Sequence, residues 1–406
     1  MSSDYLVQPA PLLSLRRRWG ITASLFVLAL GLGYQLLRAE WQPVFAWRWS
    51  VVAAGVLVYE LGLLWRSLQD NRRLGETLLL PTFGAGNLLT LLRGLALGLL
   101  AGFLFLPWPS GWLGWLPALL YTLVSLADYW DGYLARITRH ATLLGARLDI
   151  EFDALGILIA TTLAVHYRQL PAWYLALGLS RYLFLLCLWW RRRQGRPVYD
   201  LTPSIHRRMI AGFQMSFVSV MLWPLVHPPA TTLAGVVFAL PFTASFVRDW
   251  LVVSGRLDPA APAYLKARHK LAVALTRWLP VFLRLGVVAV ALGLGWPALQ
   301  GADKRVALFG WPGLPFPMAM ATAISLIAGV AMVMLILGTA GRLAALGLVT
   351  AASANIHTGG LDLGNGFLLV GSIALMLLGS GSLSWWRPED AFLTRRVGGE
   401  RRDSGR

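Results

Sequence analysis

The sequence predicts an all-α polytopic membrane protein, with about twelve transmembrane helices at the ~20 residues a bilayer needs. Three observations predict it. Of 406 residues, 57% are hydrophobic and 14% charged, where a soluble protein carries roughly a quarter charged. Mean hydropathy is +0.60. Apolar runs recur along the chain, and the basic residues fall between them. The formal charge is +17, from 36 Lys+Arg against 19 Asp+Glu. Guanidiniums placed between apolar segments fit an anionic lipid surface and the positive-inside rule, and argue against a nucleic-acid partner. The single Cys187 excludes an intrachain disulfide and a Cys-rich metal site. The polar start, Met1 to Pro11, leads to Arg16–Arg18 without a small-residue cleavage site, so no signal peptide is expected.

The first two spans are predicted at Trp19–Leu37 and Val51–Trp65, and a polar, basic segment at 66–76 is expected along the membrane surface. Six spans follow at Leu88–Phe105, Leu113–Tyr129, Leu143–Val165, Trp173–Trp190, Met209–Val226 and Thr231–Val253. A basic amphipathic linker is expected over 256–274. Four further spans are expected at Leu279–Leu294, Met318–Leu337, Arg342–Ile356 and Gly366–Leu378, then a flexible basic tail over 391–406. Arg and Lys concentrate in alternate loops, which places both termini on the cytoplasmic side of a cell membrane.

Between Asp128 and Asp153 four aspartates punctuate the apolar pattern. Asp128 and Asp131 close one span, while Asp149 and Asp153 open the next. Spacings of three and four residues put each pair on one helix face. Carboxylates beside a bilayer are retained where something binds them, and crowded like charges cannot all stay ionised unneutralised. Two divalent cations would neutralise them and leave coordination positions for phosphate oxygens. Gly132 and Gly145 allow close approach to the backbone, and Arg136 offers a planar fork to a phosphate. The plainer reading is a polar hairpin with the aspartates paired to Arg136 and Arg147.

The full pattern, Asp128-x2-Asp131-Gly132-x2-Ala135-Arg136-x8-Gly145-x3-Asp149-x3-Asp153, resembles the signature of the CDP-alcohol phosphatidyltransferase family. Upstream, Asn87, Thr90 and Arg93 resemble the pattern that opens that family's first span. The resemblance covers about residues 78–253 and implies a six-span bundle with the motif facing the cytoplasm. It implies that Asp128, Asp131, Asp149 and Asp153 ligate two Mg2+ or Mn2+ ions, with Asp153 also the general base. Asp131, Gly132, Ala135, Arg136 and Gly145 would bind the CDP moiety of a donor such as CDP-diacylglycerol. Arg207, Arg208 and Gln214 at the fifth span, with Arg181 inside the fourth, are the acceptor candidates. They suit a small alcohol carrying a phosphate, such as glycerol 3-phosphate or inositol phosphate. Ordinary positive-inside charge also explains Arg207 and Arg208, and Arg181 could instead pair with Glu151 or Asp200. Family members tend to be homodimers.

The expected organisation is a two-span region over 1–77, the transferase-like domain over 78–255, the linker, and a four-span module over 275–390. That module ends in Gly379-Ser-Gly-Ser-Leu-Ser-Trp385-Trp386-Arg387-Pro388-Glu389-Asp390 and resembles DoxX-like membrane proteins. Gly338, Gly341, Gly347, Gly360 and Gly371 point to close helix packing; His357 and Asp362 are expected in an outer loop. The rival to an enzyme is a non-catalytic membrane protein, redox-accessory or cation-binding, with a vestigial transferase fold. All four aspartates being present argues against it.

Overall fold

A computed structural model describes residues 9–201, 205–311 and 316–388. The tail expected over 391–406 lies outside them, as do Glu389 and Asp390. Among the described residues all regular structure is helical apart from one isolated bridge, Thr339 to Trp386. The α-helices are α1 (Pro9–Glu40), α2 (Pro43–Arg66), α3 (Gly84–Ala101), α4 (Leu116–Ile137), α5 (Leu143–His166), α6 (Leu175–Gly178), α7 (Ser180–Arg193) and α8 (Ile205–Met221). They continue with α9 (Ala230–Val253), α10 (Pro262–Val273), α11 (Leu279–Gly295), α12 (Ala302–Phe309), α13 (Pro317–Leu337), α14 (Gly341–Gly359) and α15 (Leu363–Leu378).

Six helical stretches among these residues are long and apolar enough to cross a membrane, or seven if the bent pair α6–α7 forms one span. They are α1, α2, α3, α9, the continuous run 262–299 and α13. The expected twelve are not reached on length and composition, for identifiable reasons. Helices α4 and α5 carry the four aspartates with Arg136, Arg147 and Glu151, and α15 is only 16 residues long. The stretch expected as a linker is helix α10, joined by a π-helical turn (Ala274–Trp278) to α11.

The chain divides into two compact units, one comprising residues up to 181 together with 215–225, the other 182–214 with 226–406. In the first unit, Gly94 and Gly98 of α3 and Gly102 at its C-cap form a four-residue-spaced stripe. Side chains of α2 enter it: a Cβ at Gly98 would strike Leu57, and one at Gly102 would lie 2.5 Å from the Trp49 ring. A lipid environment supplies no hydrophobic drive between helices, so close van der Waals packing at small residues holds such pairs. The N-terminal hairpin therefore belongs to the same unit as the aspartate helices. On its other flank α3 meets α4 at Gly86, where a Cβ would come 2.8 Å from that of Ala135. Helix α5 closes the set, with Phe152 against Gly94 and Gly156 against Leu97.

Segment 66–83 is pinned by Asn71, whose amide donates to the carbonyls of Leu80 and Thr82 at 2.8 Å each. Thr142 caps α5, its hydroxyl accepting from the Gly145 amide at 3.1 Å, as a first turn with unpaired N–H groups requires. In the second unit Gly347 receives Ile327 and Ala331, and Gly371 receives Val287. Gly341 abuts Ser380. Gly338 and Gly360 instead end α13 and α14 at φ +68° and +80°, backbone that favours glycine. Gly360 is a turn residue with open space around it, whereas Gly338 is packed as well, since a Cβ there would lie 2.7 Å from Arg284 Nη1 and 2.8 Å from the Ser384 backbone.

Candidate active site

The aspartates of α4 and α5 converge on one side chain of α3. Arg93 Nη1 lies 2.6 Å from Asp128 Oδ1 and 2.9 Å from Asp131 Oδ2. Its Nη2 lies 3.0 Å from Asp149 Oδ1 and 2.9 Å from Asp153 Oδ1, and donates to the Asp149 carbonyl at 3.2 Å. One planar fork thus gathers four carboxylates from two helices, a task its donor geometry suits and an ammonium's does not. Thr90, one turn earlier, places its hydroxyl 3.2 Å from Asp131 Oδ2 and 3.1 Å from the Gly86 carbonyl.

Exposure is graded across the site. Arg93 is fully buried and the Asp131 side chain 9% exposed, whereas Asp149 and Asp153 are 43% and 40% exposed. The cluster therefore has a closed floor at Arg93 and Asp131 and an open side at Asp149 and Asp153. Oxygens of Asp128, Asp131 and Asp149 lie within 4.8 Å of one another, a group that could hold a metal ion. The donor set fits a hard divalent cation, being all carboxylate oxygen. The count of acidic groups fits too: four carboxyl groups face one guanidinium, an excess that divalent cations would neutralise.

The plainer pairing is not what forms. Arg147 pairs with Asp70 at 3.0 Å, and Arg136 is exposed without an ion pair among the described residues. Gly132 has only Arg136 Nη1 near it, 3.4 Å from where a Cβ would sit, so this face is open to a ligand. Ala135 and Gly145 have packing reasons for their size. Ala135 meets Gly86, and a Cβ at Gly145 would strike Asn87 Oδ1. Buried Asn87 donates to Thr142 Oγ1 at 2.9 Å and Asn71 Oδ1 at 3.3 Å.

Of the acceptor candidates, Arg181 belongs to the first unit and pairs with Glu151 at 3.4 Å. Arg207 and Gln214 belong to the second. There Arg207 contacts Asp249 at 3.3 Å, which also holds Arg248 at 2.9 Å, and Gln214 is buried. The Arg208 side chain lies outside the described residues. Asp362 caps α15 in a capping box with Asn365, and His357 ends α14, stacked on His227 at 5.1 Å. Arg93, Thr90 and Asn87 stand in the sequence pattern of the first span, yet their roles come from the structure. The signal available for Arg93 was a charge in the middle of an 18-residue apolar helix.

Residues 83–247 match the family model of the CDP-alcohol phosphatidyltransferases. A CDP-diacylglycerol–glycerol-3-phosphate 3-phosphatidyltransferase of Cereibacter sphaeroides is 35% identical over 88 residues, covering 21% of this chain and 39% of that protein. One from Salmonella choleraesuis is 32% identical over 96 residues, covering 23% of this chain and 50% of its own. The chain thus spans half or less of the length of these relatives. No solved structure matches it significantly.

Proposed function

We propose that this chain is an integral membrane transferase that moves a phosphatidyl group from a CDP-linked lipid, such as CDP-diacylglycerol, to an alcohol acceptor, releasing CMP. The observation that carries the proposal is the convergence of Asp128, Asp131, Asp149 and Asp153 on Arg93, inside the segment that matches the family model. Asp128, Asp131, Asp149 and Asp153 would hold two Mg2+ or Mn2+ ions. When bound, such ions supply charge neutralisation to a pyrophosphate and to a departing phosphate.

The chain's own residues do the rest. Asp153, on the open side, takes the proton of the acceptor hydroxyl as general base. The freed oxygen attacks the lipid-side phosphorus, and the bond to the CMP phosphate oxygen breaks. Arg136, exposed beside Gly132, offers its fork to the diphosphate. Gly132 leaves room for the nucleotide, with Asp131 below it. Ala135 and Gly145 serve the same site by allowing α3, α4 and Asn87 to close beneath it. No covalent intermediate is invoked, since Asp153 can act on the acceptor directly.

Both relatives are named for glycerol 3-phosphate, which supports a phosphorylated polyol acceptor here. Arg181, in the same unit as the aspartates, is the residue proposed to meet it. The basic loops support a multi-pass cell-membrane protein with the site facing the cytoplasm, and α4, α5, α8, α14 and α15 completing about twelve spans despite their charge or length. The proposed division is a transferase domain over 78–255 and a DoxX-like module over 275–390, with a homodimer as the working assembly. The test is CMP release by detergent-purified protein given CDP-diacylglycerol, Mn2+ and a panel of acceptors: glycerol 3-phosphate, inositol 1-phosphate, myo-inositol and serine. Release dependent on a phosphorylated polyol and absent in Asp153→Asn is expected. Release with serine or free inositol alone would reject the acceptor class.

A further inference from the structure

Helix α2 lies before the family-matched segment, yet it delivers a carboxylate to the underside of the aspartate site. Glu60 is 2% exposed. A Cβ at Gly94, the residue after Arg93, would lie 3.2 Å from Glu60 Oε2, and the Glu60 carboxylate interacts electrostatically with the Arg93 guanidinium. Neither Glu60 oxygen has a hydrogen-bond partner among the described residues, and Arg93 Nε, equally buried, has none either. An acceptor and a donor are thus both left unsatisfied at the join of α2 and α3, where each unmade bond is destabilising.

Arg93 occupies the middle of the carboxylates that the proposed ions would need. A guanidinium within 3.0 Å of all four aspartates repels an incoming cation, so metal loading requires it to withdraw from some of them. The vacant acceptor on its other side is Glu60. Counted formally, with every carboxyl ionised in the metal-loaded site, five carboxylates are balanced by one guanidinium and two divalent ions. Without Glu60, the same loaded site would hold one surplus positive charge in a buried place.

We infer that Glu60 is a positioning residue of the transferase site, receiving the Arg93 guanidinium when divalent cations bind the four aspartates. The inference rests on the metal-binding reading above. It assigns the N-terminal hairpin a role: α2 docks into the glycine stripe of α3 and brings the counter-charge that lets Arg93 leave the metal ligands.

The experiment is calorimetric titration of Mn2+ into metal-stripped, detergent-purified full chain, with the melting temperature of the metal-free protein measured in parallel. Glu60→Gln should weaken Mn2+ binding by about ten- to hundredfold, the usual range for an outer-shell partner, while leaving metal-free melting unchanged or higher. Glu60→Asp should recover part of the affinity. In an Arg93→Gln background Glu60→Gln should have no further effect on Mn2+ affinity, because the group it receives is gone. Unchanged affinity in Glu60→Gln, or an equal loss in both backgrounds, would overturn the inference. So would an affinity loss matched by a lower metal-free melting temperature, which marks a merely structural residue. Should Glu60→Gln not fold, Glu60→Asp carries the comparison: wild-type affinity in that variant would overturn the inference, and reduced affinity at unchanged metal-free melting would support it. Binding by the wild type that Asp128→Asn abolishes but Glu60→Gln leaves intact would sink this inference alone. No Mn2+ binding by the wild type would sink the metal reading with it.

Discussion

Asp153 and Arg93 occupy the same cluster but have opposite consequences when replaced. Asp153 is 40% exposed on the open side, so Asp153→Asn should fold normally and lower kcat by about 10²–10⁴, the range for a lost general base. A steady-state CMP assay beside a melting curve checks both. Arg93 is the one guanidinium among four carboxylates. Arg93→Gln should therefore lower the metal-free melting temperature, by about 3–5 kcal/mol in stability for a broken buried pair. Added Mn2+ should restore more melting temperature in that variant than in the wild type. At this scale the aspartates were legible because four carboxylates at fixed spacing have little other reason to sit in apolar helices. The partner of those aspartates was not legible. Arg136 and Arg147 are their neighbours in sequence, whereas Arg93 reaches them across 35 to 60 residues of chain.

Helix contacts decide what the small residues of the motif are for. Gly145 leaves space that Asn87 Oδ1 fills, so Gly145→Ala should lower stability by about 1–3 kcal/mol through overpacking. If that space serves the helix join, the donor KM of the folded fraction stays near wild type. A raised KM with unchanged melting would instead assign Gly145 to the nucleotide. Gly98→Leu tests the stripe on α3: it should push α2, through Leu57, away from α3, reduce melting temperature, and lower transfer activity because α3 carries Arg93. The stripe Gly94-x3-Gly98-x3-Gly102 was readable in the sequence, but spacing alone does not reveal which helix fills it. Sequence also marked 256–274 as a linker from its charge. The structure continues it as helix into α11 through the π-helical turn Ala274–Trp278, since Lys and Arg are good helix formers and Pro280 falls in the first turn of α11, where a missing N–H is tolerated.

For the whole molecule, six stretches pass as spans on length and apolarity among the described residues; α4 and α5 carry the aspartates, α8 and α15 are short, and α14 is long enough but holds Ser, Thr, Asn and His. Hydropathy finds what is uniformly apolar, so it under-reports the helices that do chemistry. Orientation can be measured directly, since Cys187 is the sole cysteine. In a Cys187→Ser background, single cysteines at Arg72 and Arg139 should react with a membrane-impermeant maleimide only in inside-out vesicles. A cysteine at Arg168, expected outside, should react in intact cells. The reverse pattern would put the aspartates on the wrong side of the membrane for a cytoplasmic nucleotide donor.

The four aspartates gathered by Arg93 are proposed to form a metal-dependent CDP-lipid transfer site. Its most direct test is acceptor-dependent CMP release from CDP-diacylglycerol, measured on EDTA-stripped protein as Mn2+ is returned. No release without metal, a saturable rise with it, and no rise in Asp128→Asn or Asp149→Asn are expected. Release that persists in EDTA, or that survives loss of either aspartate, would contradict the proposal.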